Sequence, residues 1–377
     1  MTKPLKVLHI LSSPAAGGAE VFVKDLVLNS LQDGIKASVL FIGDANQVGR
    51  EQEYQKQFLL ELKQHNIRYA ILPKGAKRNP LKGRTMFRQF IRVEKPDCIH
   101  SHLLAGIVYA KLFQRTTPLI YTHHSSKINT NPWLFKLLMR QCQAHIGISK
   151  TCAEFFDKLL PPNKPCHLIY NALDSKRLRL RENPKIAENE IQLLAVGSLR
   201  EPKNYPLLLE AVNQLLVRHT TPNFKLSIAG EGCAALKESM LIYIKEHHLT
   251  KYVVLLGNRS DIPELLYNSD VFVMSSAWEG LPISLLEAQF SGVTSVVTDV
   301  GGCKEVLNLT QGGIVVPPRN IDALANALHS VISSTELRST YSRQAISSAY
   351  LFSIMQCIKK HKAVYQLISN KISNGNS

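Results

Sequence analysis

The chain has 377 residues, of which 45% are hydrophobic and 20% charged, a composition that suits a globular protein of about two domains. It contains no run near the ~20 apolar residues that a membrane-spanning helix needs. The formal net charge of +16 is concentrated in the first half, because residues 1–180 hold 27 Lys and Arg against 12 Asp and Glu. This asymmetry predicts that the first half faces an anionic partner.

Short apolar runs rich in Val, Ile and Leu alternate with longer segments of helical pattern along the whole chain. Continuous hydrophobicity is typical of strands buried on both faces of a parallel sheet. In the first half we expect strands at Val7–Leu11, Ala37–Ile42, Cys98–Ser101, Leu119–Thr122, His145–Ile148 and His167–Ile169. In the second half we expect them at Ile191–Val196, Lys225–Ala229, Val253–Leu256, Val271–Met274, Thr294–Thr298 and Gly313–Val316.

Twelve strands are too many for one compact sheet of this kind, so the pattern predicts an α/β protein with two Rossmann-like domains facing a cleft. We place the N-terminal domain at residues 1–175 and the C-terminal domain at 190–350. The polar, charged stretch 175–189 between them has the character of a linker. We expect residues 351–377 to form a helix that packs back on the N-terminal domain, followed by a frayed tail.

Ligands of such sheets bind beyond the carboxyl ends of the strands, so the residues after each strand are the candidates for function. After the first strand, Gly17 and Gly18 precede a helical segment and would let its free N–H groups approach an anion. A plain tight turn explains the same residues equally well. Arg200 and Lys203 follow the first strand of the second half and could neutralise a diphosphate. Gly230 lies in a further turn, Gly230-Glu-Gly232.

The most informative stretch runs from Ser275 to Glu287. A strand ends at Ser275, and a helix is predicted to begin near Pro282. The main-chain N–H groups of Gly280 and Leu281 would precede that helix. Two carboxylates, Glu279 and Glu287, flank its start and could accept hydrogen bonds from hydroxyl groups of a sugar and a ribose while the helix end holds phosphate.

Together these motifs resemble the retaining glycosyltransferases of family 4, which have the GT-B fold. The matching motifs occur in order from about residue 5 to residue 330. They are Gly17-Gly-Ala-Glu20, Val196-Gly-Ser-Leu-Arg with Lys203-Asn, Gly230-Glu-Gly232, Glu279-Gly-Leu-Pro with Glu287-Ala, and Asp299-Val-Gly-Gly302 with Glu305.

The resemblance implies a role for each matching residue. Glu279 would contact hydroxyls of the donor sugar, and Glu287 the ribose of the nucleotide. Arg200 and Lys203 would bind the diphosphate, helped by Gly18 and by the amides at Gly280 and Leu281. His102 matches the family's histidine near the reacting sugar, although a packed, hydrogen-bonded histidine is the alternative. Two more histidines, His123 and His124, are candidates for the acceptor side.

The chain departs from the family pattern at one position. Many members have an arginine directly after the Gly of the Val-Gly motif, where this chain has Ser198. Either Arg200, two positions further on, supplies the missing charge, or Lys203 acts with less help. We expect the first.

The same resemblance implies the reaction and its cofactors. Retention through a double displacement would need a nucleophile beneath the sugar, and the sequence offers no obvious candidate, so a front-face mechanism fits better. No Asp-x-Asp motif is present, and we therefore expect no metal and no cofactor besides the nucleotide-sugar donor, which we expect to be UDP-linked and to carry a hexose or N-acetylhexosamine.

The acceptor side is indicated by a basic segment. Lys74–Arg92 contains seven Lys and Arg and no Asp or Glu, with interleaved apolar residues at Leu81, Met86, Phe87, Phe90 and Ile91. Such a segment can attach to an anionic membrane surface as an amphipathic helix. We therefore expect peripheral attachment to the cytoplasmic leaflet of the inner membrane. The acceptor would be an anionic or lipid-linked glycan, such as a lipopolysaccharide or surface-polysaccharide intermediate.

Other functions fit the sequence less well. A UDP-sugar 2-epimerase with the same fold remains open, and it would act without an acceptor. A basic nucleic-acid-binding protein is disfavoured because only 7% of residues are aromatic and no recognition motif occurs. A dinucleotide-dependent oxidoreductase lacks its GxGxxG fingerprint. Seven cysteines without a CxxC pair favour a reducing, cytoplasmic location without structural zinc.

Overall fold

The chain folds into two compact units. The computed structural model describes residues 4–45, 52–125, 127–128, 130–160, 164, 166–183, 190–218 and 223–375. Unit 1 comprises Met1–Leu173 together with Ile354–Ser377, and unit 2 comprises Asp174–Ser353. In sequence, the boundary between the units falls between Leu173 and Asp174, just before the predicted linker. Residues 184–189 of that linker lie outside the described ranges.

Unit 1 is built on a parallel sheet that has seven strands within its described residues, in the order β3-β2-β1-β4-β5-β6-β7. The strands are β1 (Leu5–Leu11), β2 (Ile35–Phe41), β3 (Arg68–Ile71), β4 (Cys98–Ser101), β5 (Leu119–His123), β6 (Ala144–Gly147) and β7 (Cys166–Leu168). The prediction missed only β3. That strand forms the edge of the sheet, and its four residues are exposed or partly exposed, so it lacks the continuous apolar run that marks the others.

The helices of unit 1 connect these strands, and one comes from the end of the chain. They are α1 (Gly18–Asn29), α2 (Gln52–Gln64), α3 (Arg84–Glu94), α4 (Leu104–Phe113), α5 (Pro132–Met139), α6 (Lys150–Leu159) and α14 (Ile354–Gly375). Helix α14 packs against α1 and β4. The main-chain N–H of Ile354 donates to the carbonyl of Leu173, which ties the start of this helix to the last residue of unit 1 before unit 2.

Unit 2 repeats the same plan with a parallel sheet that, over 190–218 and 223–353, has six strands in the order β10-β9-β8-β11-β12-β13. Its strands are β8 (Ile191–Val196), β9 (Phe224–Ala229), β10 (Val253–Gly257), β11 (Val271–Met274), β12 (Thr294–Thr298) and β13 (Gly313–Val316). Its helices are α7 (Tyr205–Arg218), α8 (Ala234–Glu246), α9 (Ile262–Asn268), α10 (Ile283–Phe290), α11 (Cys303–Thr310), α12 (Ile321–Ser333) and α13 (Thr335–Ser348).

All the strand pairs in both sheets are parallel. The strands in the middle of each sheet are buried from end to end. Such burial is typical of parallel sheets, because the helices that connect the strands cover both faces. The predicted α/β class with two Rossmann-like domains is confirmed. In both units the carboxyl ends of the strands gather the candidate residues at one edge of the sheet.

One part of the membrane prediction needs correction. Within the basic segment, Phe87 and Ile91 lie on the inner face of α3 and pack in the core of unit 1. Phe90 is partly buried against the same core, so only Leu81 and Met86 of the five interleaved apolar residues are exposed. Phe87, Phe90 and Ile91 therefore do not form an exposed apolar face on α3, because the helix uses this stripe to cover the sheet.

Candidate functional site

In unit 2, Lys203 and Glu279 meet in a partly buried ion pair. Lys203 Nζ donates to Glu279 Oε1 at 2.7 Å, and the two side chains are 18% and 14% exposed. The hydroxyl of Ser276 donates to the same carboxylate oxygen, also at 2.7 Å. The carboxylate is therefore held in one position by a cation and a hydroxyl.

The sheet explains why residues so far apart in sequence meet here. Lys203 follows β8 and Glu279 follows β11, and these strands are neighbours in the sheet. Further bonds lock the two loops together: the Ser275 hydroxyl donates to the carbonyl of Lys203 at 3.0 Å, and the N–H of Ala277 donates to the carbonyl of Pro202 at 2.8 Å. These two bonds hold the loop of Glu279 against the loop of Lys203.

The turn that contains Gly301 and Gly302 packs against the Glu279 loop. Gly301 has a φ of +54°, and a β-carbon there would lie 2.4 Å from the carbonyl oxygens of both Glu279 and Gly280. The N–H of Gly302 donates to the Gly280 carbonyl at 2.6 Å. Only glycine fits at Gly301 without displacing the loop, which gives the Asp299-Val-Gly-Gly motif a structural role.

Leu281 and Glu287 belong to the helix that follows this loop. Leu281 is buried, Pro282 caps α10, and the helix begins at Ile283, close to the predicted start. Glu287 lies in the last turn of α10, where Arg177 Nη1 donates to its Oε1 at 2.7 Å. Arg177 belongs to the stretch predicted as a linker, and the sequence does not predict this ion pair, because no spacing connects a residue before β8 with a helix 110 positions later.

The remaining unit 2 candidates take different places. Arg200 is exposed at the start of a short 3-10 helix, Glu201–Lys203, and the ion pair with Glu279 is made by Lys203 instead. Ser198, where many family members have arginine, is also exposed. Gly230 approaches the neighbouring loop closely, since a β-carbon there would lie 1.9 Å from the Gly197 carbonyl oxygen. Gly230 therefore allows the loops after β8 and β9 to touch.

In unit 1, Gly17 and Gly18 lie at the start of α1, as the sequence predicts. Gly17 is the N-cap residue, its carbonyl accepts from the N–H of Val21 at 2.8 Å, and Gly18 is exposed. The hydroxyl of Ser12, just after β1, donates to Glu20 Oε1 at 2.7 Å and ties the glycine turn to the first turn of the helix. The N–H of Gly17 itself donates to the carbonyl of Ala15 within the turn, and α1 begins at Gly18, seven positions after the end of β1.

His102 follows β4 and lies between two other histidines. Its Nε2 is 3.1 Å from Nδ1 of His9, and its Nδ1 is 3.0 Å from Nε2 of His124. The three residues come from different places in the sequence: β1, the end of β4, and the position after β5. Both ring nitrogens of His102 are therefore engaged by imidazoles, an arrangement that the motif alone does not predict.

Two further histidines, His100 and His361, surround this group. His100 bonds through Nδ1 to the hydroxyl of Tyr365 and through Nε2 to that of Thr122, both at 2.7 Å. The Nδ1–H of His361 donates to the carbonyl of Cys357 at 2.9 Å. Helix α14 thus contributes two rings to the interior of unit 1.

Burial keeps these imidazoles neutral. Desolvation lowers the pKa of His9 and of His124 to about 3 and that of His361 to about 4. The same cause, strengthened by the neighbouring histidines, lowers the pKa of His100 and His102 well below the usual value. The cluster therefore carries no positive charge near neutral pH.

Among the described residues, His9, His100 and His102 form the one group of His, Cys, Asp or Glu that could hold a metal ion, with their ligand nitrogens within 4.8 Å of one another. In this structure those nitrogens bond to other imidazoles and hydroxyls. The absence of a metal requirement stays a prediction.

His123 differs from His124, although both were candidates for the acceptor side. The Nε2–H of His123 donates to the carbonyl of Lys127 at 3.0 Å, and its Nδ1 accepts from the Tyr121 hydroxyl at 3.0 Å. These bonds give His123 a place in the framework of its loop. His124 Nδ1 is buried and has no hydrogen-bond partner among the described residues.

Comparison with known protein families divides the chain in the same way as the fold. Residues 16–177 match the model for "Glycosyltransferase Family 4", and residues 176–348 match the model for "Glycosyl transferases group 1". The two matches adjoin each other and together account for nearly all of both sheets.

Two curated relatives are glycosyltransferases with lipid-linked substrates in their names. The chain is 31% identical to the Escherichia coli UDP-Gal:alpha-D-GlcNAc-diphosphoundecaprenol alpha-1,3-galactosyltransferase over 189 residues. These residues make up 49% of this chain and 48% of the relative. The chain thus matches about half the length of that protein. It is 28% identical over 269 residues to a Campylobacter jejuni diphospho-undecaprenol 4-alpha-N-acetylgalactosaminyltransferase, over 70% of this chain and 72% of the relative.

A solved structure shares the fold. The Anabaena protein HepE, crystallised in complex with UDP and glucose, superimposes with a TM-score of 0.78 at 19% identity, over 96% of this chain and 99% of that one. At this identity the likeness supports the GT-B fold and leaves the substrates open.

Proposed function

This chain belongs to glycosyltransferase family 4 and is a glycosyltransferase, and on that premise we propose that it moves a hexose or N-acetylhexosamine from a UDP-sugar to a lipid-linked acceptor with retention of configuration. The observation that carries this proposal is the Lys203–Glu279 ion pair. It places a cation and a carboxylate side by side at the carboxyl ends of two neighbouring strands, where ligands of such sheets bind.

The donor would exchange partners with this pair. Hydroxyls of the sugar would bond to Glu279, and Lys203 would turn its charge to the diphosphate, whose negative charge grows as the glycosidic bond breaks. Arg200, exposed near the pair, would add a second cation. The N–H groups at Gly280 and Leu281 would assist it, and so would that of Gly18.

The nucleotide would be held further along α10. Glu287 carries a carboxylate whose orientation is fixed by Arg177, which suits it to accept hydrogen bonds from the two ribose hydroxyls. The proposal of uracil as the base has support from two comparisons, the UDP-Gal in the name of the E. coli relative and the UDP bound to HepE.

No metal enters this proposal. Lys203 and Arg200 supply positive charge at the diphosphate, the task that a divalent cation performs in many sugar-nucleotide enzymes. With no nucleophilic carboxylate assigned beneath the sugar, we propose that the departing phosphate itself takes the proton of the attacking acceptor hydroxyl. His102 would lie beside the reacting sugar.

We propose that the acceptor is lipid-linked because both curated relatives carry diphosphoundecaprenol in their names, with a lipopolysaccharide or surface-polysaccharide intermediate as its class. No helix in the described ranges is long and apolar enough to span a bilayer. The chain would therefore meet a lipid-linked substrate by attaching to the surface of the inner membrane, on its cytoplasmic side.

The basic side of unit 1 fits that attachment. Arg84, Arg88 and Arg92 are exposed on α3, and Arg88 lies over the ring of Phe113 on α4 at 5.9 Å. Helix α5, which packs next to α4, exposes Trp133 at 72%. Residues 98–153 contain no Asp or Glu, so neither α4 nor α5 adds negative charge. Trp133 is an aromatic side chain of the kind found at membrane interfaces, where cations also bind anionic lipid.

The decisive experiment supplies the purified protein with UDP-galactose, UDP-glucose and their N-acetylated forms, each with a sugar-diphosphate-undecaprenol acceptor. We expect an α-linked product from one donor, identified by the anomeric coupling constant in the NMR spectrum, and undiminished activity in EDTA. A β-linked product would contradict retention, and loss of activity in EDTA would contradict the metal-free mechanism. A new UDP-sugar formed without acceptor would indicate the epimerase instead.

A further inference from the structure

The three histidines His9, His102 and His124 form a linear chain of imidazoles, which we name the histidine chain. Two hydrogen bonds of 3.1 and 3.0 Å connect the rings, and His102 takes part in both. The outer rings lie on either side of it, since His9 is on β1 and His124 follows β5, while β4 runs between these strands in the sheet. The sheet itself therefore sets the order of the rings.

Counting protons shows that the three rings depend on one another. A neutral imidazole has one N–H, so His102 must donate in one of its two bonds and accept in the other. If its Nε2–H donates to His9, then its Nδ1 accepts from the Nε2–H of His124. If its Nδ1–H donates to His124, then its Nε2 accepts from the Nδ1–H of His9. The three rings are therefore all protonated at Nε2 or all at Nδ1.

We propose that His9 and His124 are positioning residues for the transfer reaction, which hold the His102 ring in one orientation and one tautomer beside the reacting sugar. This inference rests on the proposed function, because it takes the place of His102 next to the sugar from that proposal. With both nitrogens engaged, His102 acts as a fixed neutral group. It does not exchange a proton with the substrate unless one of the two bonds breaks.

The surroundings favour the neutral state. The titratable groups that face the chain are His100 on β4, His123 on β5, and His361 and Tyr365 on α14. Each of these histidines disfavours a positive charge on its neighbour, and burial adds to the effect. A protonated His102 would donate from both nitrogens, so the two outer rings would have to take opposite tautomers. His124 would then carry its proton on Nδ1, a buried atom that has no hydrogen-bond partner among the described residues.

Matched amide substitutions test the chain. The amide of asparagine replaces Nδ1 of histidine, and that of glutamine replaces Nε2, and each can donate or accept. Because His9 uses Nδ1 and His124 uses Nε2, His9→Asn and His124→Gln should keep most of kcat. The mismatched His9→Gln and His124→Asn should lower kcat by about 10-fold to 100-fold with little change in the KM for the donor.

The control is His145→Gln, which removes another buried imidazole of unit 1 whose Nε2–H donates to the Met139 carbonyl at 3.0 Å, outside the chain. Thermal unfolding of every variant separates loss of fold from loss of positioning. Equal losses of kcat in matched and mismatched variants would overturn the proposal, and so would full activity in the mismatched ones. Inactivity of the unsubstituted protein with every donor would instead refute the proposed function.

Two further measurements are independent of activity. ¹⁵N NMR of histidine-labelled protein should show His9, His102 and His124 in the same tautomer at pH 7, and His9→Ala should shift the signals of the other two. Opposite tautomers or a charged His102 would contradict the chain. Elemental analysis should find no stoichiometric transition metal, because a bound ion would occupy the nitrogens that the chain uses.

Discussion

Lys203 Nζ and Glu279 Oε1 lie 2.7 Å apart although 76 positions separate the two residues. Each charge neutralises the other, which lowers the cost of keeping two partly buried charges at the edge of the sheet. A nucleotide-sugar donor would replace this ion pair with two new contacts: its sugar hydroxyls would bond to Glu279, and its diphosphate would bond to Lys203.

The first prediction concerns Glu279. Glu279→Gln keeps the size of the side chain but removes its charge, so we expect kcat to fall by roughly 100-fold or more. Calorimetric titration should show UDP binding with nearly unchanged affinity, whereas the affinity for the UDP-sugar drops, because only the sugar is expected to contact this residue. Near-normal turnover would refute the assigned role.

The second prediction concerns the Arg177–Glu287 ion pair. Glu287→Gln should weaken UDP binding by about 10-fold, the loss expected for a charged hydrogen-bond acceptor. It should also remove the preference for UDP over 2′-deoxy-UDP, because the ribose hydroxyl no longer meets a carboxylate. Arg177→Lys, measured alongside, should retain more of that preference than Arg177→Ala. Equal discrimination by all variants would place the ribose elsewhere.

The third prediction separates function from folding at two glycines with positive φ in unit 2. Gly301→Ala should displace the Glu279 loop and lower activity by about 100-fold, since ~1 Å of misplacement has effects of that size. Gly292 is the control: it has a φ of +67°, and a β-carbon there would meet Ile346 at 2.6 Å, away from the loop. Both variants should unfold at lower temperature, but Gly292→Ala should keep its activity per folded molecule.

The fourth prediction concerns stability in acid. The folded-state pKa of His361 is about 4, below the value of about 6.5 expected when unfolded. Below pH 6.5 the unfolded chain therefore binds protons that the folded chain does not, and the free energy of unfolding falls as pH drops towards 4. The slope should approach about 1.4 kcal/mol per pH unit for each such histidine.

Urea unfolding between pH 7 and pH 5 measures this slope. His361→Asn should flatten it by up to about one proton, because the asparagine can still donate to the Cys357 carbonyl but does not titrate. The same substitution at the exposed His65 serves as the control. An identical slope in His361→Asn would show that this ring does not stay neutral in the folded protein.

The fifth prediction concerns the basic side of unit 1. Replacing Arg84, Arg88 and Arg92 with Gln should lower the partition onto vesicles with anionic lipid by roughly 100-fold or more, with little binding to neutral vesicles in either form. A matched triple substitution at exposed cations of unit 2, Lys225, Arg319 and Arg343, should leave flotation unchanged. Equal binding of the unsubstituted protein to both kinds of vesicle, or none, would refute membrane attachment.

Much of the fold could be predicted from the sequence, because strands buried on both faces need unbroken apolar runs. All twelve expected strands occur within two residues of their predicted ends. The edge strand β3 was not predicted, because it begins at the exposed Arg68 and its other residues are only partly buried. The apolar residues of α3 were recognised, but which of them face inward depends on how the helix lies on its sheet.

The candidate site was predictable only where local motifs carry it. The loop of Glu279 and the turn of Gly17 could be predicted as candidate ligand-binding segments, because each contains glycine between a strand and a helix. The Arg177–Glu287 pair and the His9–His102–His124 chain could not, because each depends on tertiary neighbours. His9 lies directly opposite His100 in the pairing of β1 with β4, a register that no single stretch of sequence contains.

Helix α14 has a consequence for how the protein is made. It supplies Tyr365 and His361 to the interior of unit 1, yet it is synthesised after the whole of unit 2. During translation, unit 2 can complete its own core as soon as residue 353 has left the ribosome, whereas unit 1 must wait with His100 lacking its tyrosine partner. A nascent chain stopped at residue 353 should therefore contain a protease-resistant second unit and a susceptible first one, the reverse of the usual N-to-C order of domain folding.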